Sequence, residues 1–179
     1  KIDDVIERIK SFDGLPYAPI TDTASTFGYA KWNKAATKAG LKPVFGVELA
    51  VSPSIHDKKP SVDYWTFIAK DSLQPINELI STATSQFRYQ PLLTIEQASE
   101  REDVFIIIGH RTNLDNIEPR EGLFFGVSPS VALGQLKRAI EKGFQLIAVS
   151  DNRYPNKGEQ GFYETVCGRG ASTQSYPQW

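Results

Sequence analysis

The stretch Ala18–Leu49, APITDTASTFGYAKWNKAATKAGLKPVFGVEL, sets the architecture. Tyr17–Ile20 reads as a short strand that runs into Thr21-Asp22-Thr23. Ser25–Ala39 then reads as an amphipathic helix, with Phe27, Ala30, Lys31, Ala35 and Ala39 on one face and Gly40 as its stop. Pro43–Val51 is the next strand, in which Val44–Val47 leads directly to Glu48. Strand, helix and strand in this order form a βαβ unit, whose two strands run parallel.

The same alternation continues on either side. Lys1–Phe12 precedes the unit as a helix, with Ile2, Val5, Ile6 and Ile9 at helical spacing. Downstream, Tyr64–Ala69 is an aromatic strand and Ser72–Thr84 a helix with Ile76, Leu79 and Ile80 inward. Thr94–Arg101 is a short helix with Thr94 as its N-cap. Val104–Ile108 (VFIII) is a continuous apolar run, expected as a strand buried on both faces. Leu123–Val127 and Gln145–Ser150 are strands, separated by a helix over Ser130–Lys142 that Gly143 closes. Gly158–Val166 starts a last helix. The pattern predicts an α/β fold with a mostly parallel sheet, either open or closed into a barrel.

Composition narrows the function classes. The chain has 179 residues, with 20 Lys+Arg against 21 Asp+Glu, and 40% of its residues are hydrophobic. That is enough apolar material for one sizeable core. The near-zero net charge argues against a free-standing nucleic-acid binder, which needs a concentrated basic surface. A local patch at Lys31, Lys34, Lys38 and Lys42 is the exception, and a solvated helix face accounts for it equally well. The single cysteine, Cys167, excludes an internal disulfide and a cysteine-cluster metal site, and fits a reducing, cytoplasmic setting. No apolar run is long enough for a membrane span. Neither G-x-G-x-x-G nor G-x-x-x-x-G-K-[ST] follows a strand, so dinucleotide and P-loop readings lose their main support. The chain contains no methionine, and its first residues already read as helix; the expectation is that further residues precede Lys1.

Chemistry collects where strands end. Asp22, Glu48, His110 and Asp151 each follow or close an apolar strand. In a parallel barrel the C-terminal strand ends share one rim, so side chains far apart in sequence converge there. Their oxygen and imidazole donors suit a hard or borderline metal ion. Asp22 and Asp151 read equally as turn formers or helix caps. His110 reads equally as a hydrogen-bonded histidine. Glu48, flanked by apolar residues in PVFGVEL, is expected to be partly buried and therefore paired or coordinated. His56 falls in the polar loop Ser52–Ser61 and is expected to be exposed.

Ala18–Leu49, with DYWTFIAK, FRYQPLLTIEQASE, DVFIIIGH and LIAVSDNRYP in order behind it, resembles the PHP (polymerase and histidinol phosphatase) domain, especially that of bacterial DNA polymerase III alpha subunits. The resemblance implies a distorted seven-stranded (β/α) barrel over residues 1–168; the tail behind it, 169–179, is polar with Pro177 and reads as an extended segment, either a disordered end or a peptide that packs on a partner through Tyr176 and Trp179. It implies metal ligands at Glu48, His110 and Asp151, with Asp22 supporting them from behind. It also implies three lost histidines: ligand positions of the family are occupied here by Thr23, Tyr64 and Arg153. Arginine there places a fixed positive charge in the space of a divalent cation and suits pairing with Glu48 or Asp151.

Two functions follow as expectations. One is a metal-free PHP-like module with a structural or docking role in DNA replication, holding a protein partner from the replication machinery and touching nucleic acid weakly or indirectly. The other is a phosphoesterase or 3′-to-5′ exonuclease using Zn, Mn or Mg. A polymerase is excluded for this chain alone, because 179 residues cannot hold palm, thumb and fingers.

Overall fold

A run of β-branched and aromatic strands forms a single sheet, in the order β1-β2-β3-β5-β6-β7, with β4 paired to β2 off this path. The computed structural model describes residues 2–12, 14–56, 61–86, 90–128 and 131–150. In chain order the elements are α1 (Ile2–Lys10), β1 (Tyr17–Thr23), α2 (Tyr29–Lys38), β2 (Lys42–Ser52), β3 (Asp63–Ala69) and α3 (Gln74–Ser85). There follow β4 (Leu92–Thr94), α4 (Ile95–Ser99), β5 (Val104–Ile108), a 3-10 turn (Leu114–Asn116), β6 (Leu123–Val127), α5 (Leu133–Lys142) and β7 (Gln145–Ala148). The fold is mixed α/β, with the sheet curled into a half-barrel. Among the described residues β1 and β7 are its two ends, each paired with one neighbour.

Strands β1 and β2 pair in parallel, as do β5 with β6 and β6 with β7. β3 is the exception, antiparallel to both β2 and β5. Its start therefore lies beside the ends of its neighbours, with Asp63 opposite Val51. That reversal brings Asp63 and Tyr64 to the same rim as the C-terminal ends of β1 and β5.

Two apolar clusters hold the layers together. The larger packs Val47, Leu49, Trp65, Phe67, Ile106 and Phe125 against α3, through Ile76, Leu79 and Ala83. Full burial of a large apolar side chain contributes roughly 1.5–3 kcal/mol. The smaller cluster sets Ile6 of α1 and Trp32 and Ala36 of α2 against Ala18 of β1. Trp32 Nε1 donates to Ala18 O at 2.9 Å, so its indole N–H is satisfied inside that cluster.

The helical caps follow the expected chemistry. Thr94 forms a capping box with Gln97, each side chain accepting from the other's backbone N–H. Gly143 ends α5 at φ 86, a conformation that other residues resist.

Three expectations are corrected. The second helix begins at Tyr29, and its buried face is Tyr29, Trp32 and Ala36, not the Phe27–Ala39 stripe. Strand β1 runs on to Thr23 because β2 pairs with it that far, and Ala24 turns at φ 49. Ser25 Oγ then accepts the Phe27 N–H, which delays the helix and leaves Phe27 96% exposed. β5 is not buried on both faces: Val104, Ile106 and Ile108 are covered, while Phe105 is 40% exposed on the concave side. β4, only three residues long, leaves no strand signal in the sequence; it extends the sheet along the last residues of β2. The expected Gly158–Val166 helix, the 169–179 tail, Cys167, and Ser130 at the head of the fourth long helix lie outside the described residues.

Candidate functional site

Parallel pairing places Thr23 directly opposite Glu48. Successive side chains on a strand alternate faces, and β1 uses both. Ile20 and Asp22 point toward α2, where a Cβ built on Gly28 would fall 2.9 Å from Ile20 Cδ1 and 2.8 Å from Asp22 Oδ2. Thr21 and Thr23 point to the concave face, with Thr21 Cγ2 3.1 Å from a Cβ built on Gly46. Glu48 follows Gly46 by two residues and shares that face. There Thr23 Oγ1 donates to Glu48 Oε1 at 2.9 Å. The half-buried carboxylate thus has a neutral hydroxyl for a partner.

Asp22 is therefore separated from Glu48 by the sheet. It lies beside the first turn of α2, which carries no acidic residue of its own. Its charge is one cause of the high Tyr29 pKa. Burial chiefly, and Asp22 secondarily, push that phenol up to about 12, while its hydroxyl donates to Gly46 O at 2.7 Å.

The β3–β5 end of the rim is built around Asp63, a residue that the sequence pattern does not single out. Asp63 Oδ2 accepts from the Arg111 N–H at 3.0 Å and from Thr112 Oγ1 at 2.6 Å. Its Oδ1 accepts from the Tyr64 N–H at 2.9 Å. Thr112 Oγ1 in turn accepts from Trp65 Nε1 at 2.7 Å. Thr112 and Trp65 are both buried, so this chain of bonds satisfies polar atoms that water cannot reach. Gly109 makes the close approach possible: a Cβ there would fall 2.4 Å from both Tyr64 O and Asp63 Oδ2. The sequence signal for this network is the glycine that directly follows an apolar strand.

His110 comes next on this rim, half-buried, and its side chain makes no hydrogen bond among the described residues. Tyr64 is 41% exposed, and its hydroxyl donates to Gln90 Oε1 at 2.9 Å. His56 is exposed, as expected. Asp151 and Arg153 lie outside the described residues. Thr23, Glu48, Tyr64 and His110 thus share a rim, and Asp22 stands behind it. Among the described residues, no three His, Cys, Asp or Glu side chains come together as a metal-holding group. Of the carboxylates at this end of the sheet, Glu48 accepts from Thr23 through Oε1, and Asp63 accepts three hydrogen bonds from the protein.

Comparison with known proteins agrees with this architecture. The model of the PHP domain family matches residues 1–122, and the chain belongs to that family. It is 40% identical over 48 residues to the DNA polymerase III subunit alpha of Mycobacterium tuberculosis, in strains CDC 1551 / Oshkosh and ATCC 25618 / H37Rv alike. The matched segment is 27% of this chain and 4% of those relatives, so the likeness spans a small part of their length. The fold is also that of a proposed metal-dependent phosphoesterase from Bifidobacterium adolescentis, with a TM-score of 0.53 at 11% identity, covering 97% of this chain and 92% of the other.

Proposed function

We propose that this chain is a PHP domain of the DNA polymerase III alpha type, with a metal-depleted strand-end site and a structural, partner-docking role in DNA replication. The observation that carries the reading is the Thr23–Glu48 hydrogen bond at 2.9 Å. Where the family resemblance puts a ligand histidine, a hydroxyl supplies the partner that a partly buried carboxylate requires. Tyr64, at a second ligand position, directs its hydroxyl to Gln90. The resemblance assigns a third ligand position to Arg153, and an arginine in such a position would supply a permanent cation in place of a metal ion. In this reading the half-barrel completes toward the distorted seven-stranded barrel of the family, the partner is a protein of the replication machinery, and the setting is the cytoplasm.

A second reading, a metal-dependent phosphoesterase or 3′-to-5′ exonuclease, is favoured by Glu48 and His110 standing on one rim. It expects Glu48, His110 and Asp151 to hold Zn, Mn or Mg. Incubating the protein with each metal and a 3′-labelled single-stranded oligonucleotide separates the two. The docking reading expects no nucleotide release and no effect of Glu48→Ala. Metal-dependent release that Glu48→Ala abolishes would establish the enzyme instead.

A further inference from the structure

Helix α5 turns one apolar flank outward. Leu133, Leu136 and Ile140 recur at the i, i+3, i+7 spacing of a face built for burial, yet Leu133 is 80% exposed and Ile140 56%. Of this helix only Ala139 is buried. Two ties fix the way the flank faces. On one side of Ala139, Arg138 pairs with Asp115, and Lys142 Nζ donates to Leu114 O at 2.7 Å and to Ile117 O at 3.1 Å. That side looks toward the turn that follows β5. At ~100° per residue, Leu136, Ile140 and Leu133 fall on the other side of Ala139, toward the sheet edge at β7.

The strand beneath repeats the pattern. Leu146 of β7 is the register partner of Phe125, and Ala148 of Val127, so all four lie on the face of the sheet that the helices cover. Phe125 is fully buried in the larger cluster and Val127 packs against it, whereas Leu146 is 43% exposed and Ala148 is exposed. Leu133, Leu136, Ile140, Leu146 and Ala148 thus make an apolar shelf at the end of the helical layer. The chain continues from this shelf directly after β7. Gly158–Val166, expected from its sequence to be helical, carries Phe162 and Val166 four residues apart with Tyr163 beside them. β6, α5 and β7 wind as strand, helix and parallel strand. The same winding carried one step further lays the next helix on the same face, along the open flank of α5.

We propose that residues 158–166 of this chain dock as a helix on the shelf of Leu133, Leu136, Ile140, Leu146 and Ala148, with Phe162 and Val166 set against α5. A second copy of the chain fits less well. The exposed apolar side chains of the shelf amount to on the order of a few hundred Å². A stable dimer buries roughly 800 Å² on each partner. One amphipathic helix needs no more than the shelf offers, and this one is tethered beside it. The shelf uses none of the strand-end donors, so the inference stands whether or not that site holds a metal.

A nitroxide on α5 tests this in the full chain by paramagnetic relaxation. It is attached through Glu141→Cys in a Cys167→Ser background, at an exposed side chain just off the shelf. The amide signals of Phe162, Tyr163 and Val166 should lose most of their intensity and recover it when ascorbate reduces the label. Adding Leu133→Gln and Ile140→Gln should restore most of that intensity with the label oxidised. Both positions are exposed, and circular dichroism confirms that the variant folds. The proposal is overturned if the three signals keep their full intensity beside the oxidised label, or if the double glutamine variant leaves them broadened. A mixture of isotope-labelled chain lacking the nitroxide with unlabelled chain carrying it covers the other occupant. Broadening in that mixture would also overturn the proposal, assigning the shelf to a second copy.

Discussion

Thr23 and Glu48 are register partners across β1 and β2, joined side chain to side chain by a 2.9 Å hydrogen bond on the concave face of the sheet. The geometry makes threonine the immediate neighbour of the one carboxylate in an apolar strand. Thr23→Val removes the donor and leaves Glu48 without a partner among the described residues. Because the bond is exposed, urea denaturation should show a loss of only about 0.5–1.5 kcal/mol. A loss several times larger would mean that Glu48 is buried more deeply than its position on the rim implies.

The Asp63 network predicts a larger effect. Thr112→Val deprives both Trp65 Nε1 and Asp63 Oδ2 of a partner, in a place that water cannot reach. The expected loss is about 1–3 kcal/mol on urea denaturation, with a change in Trp65 emission in the folded state. An unchanged midpoint would show that the network does not contribute to stability.

Gly109 is predicted to tolerate no side chain. The Cβ of Gly109→Ala would stand 2.4 Å from the Tyr64 carbonyl, which belongs to a strand backbone and cannot swing away. Overpacking of this kind costs roughly 1–3 kcal/mol, and a backbone obstacle places it at the upper end. Gly14→Ala is the control, since no atom lies within 4 Å of its Cβ; its φ of +81 makes the expected cost one of backbone strain alone. The ranking of the two thermal midpoints checks the claim.

Tyr29 gives the fold an alkaline limit. Its phenol is raised from an ordinary 10.0 to about 12 by burial and by Asp22, so the folded chain keeps a proton that the unfolded chain releases first. Between these values the unfolded state binds fewer protons, and stability falls as pH rises. Below pH 10 the contribution is fully present. Tyr29→Phe should remove this part of the alkaline decline while sacrificing the 2.7 Å bond to Gly46 O. Denaturation midpoints of both proteins across the alkaline range, from below the ordinary phenol pKa to about 12, test the sign, and parallel curves would contradict it.

Periodicity makes most of the fold legible, and two features explain where it stops. The centres of the long helices and strands show in the spacing of their apolar residues, and Thr94 and Gly143 mark their boundaries by chemistry that acts within a few residues. Strand direction leaves no such trace. Nothing in DYWTFIA says that β3 runs against its neighbours, yet that reversal is what brings Asp63 to the rim. The phase of α2 is misleading in the sequence because Phe27 falls in step with Ala30 and Lys31 and out of step with the buried Tyr29, Trp32 and Ala36, while the bond from its N–H to Ser25 Oγ keeps it in the preceding turn. At the site, Glu48 stands out as a carboxylate in an apolar strand. Its partner Thr23 is legible only as a lost ligand, because a register pairing is invisible until β1 and β2 are laid together. Asp63 and Thr112 meet over 49 positions, beyond any local pattern.

Whether neutral and cationic side chains have replaced the metal at the strand ends is decided by metal content. Inductively coupled plasma mass spectrometry of the intact natural protein, after gel filtration without chelator, measures it. Zinc, manganese and iron are predicted far below stoichiometric amounts, with no rise in thermal midpoint when zinc or manganese is added. A tightly bound metal at one or more ions per chain, lost in Glu48→Ala, would contradict that replacement.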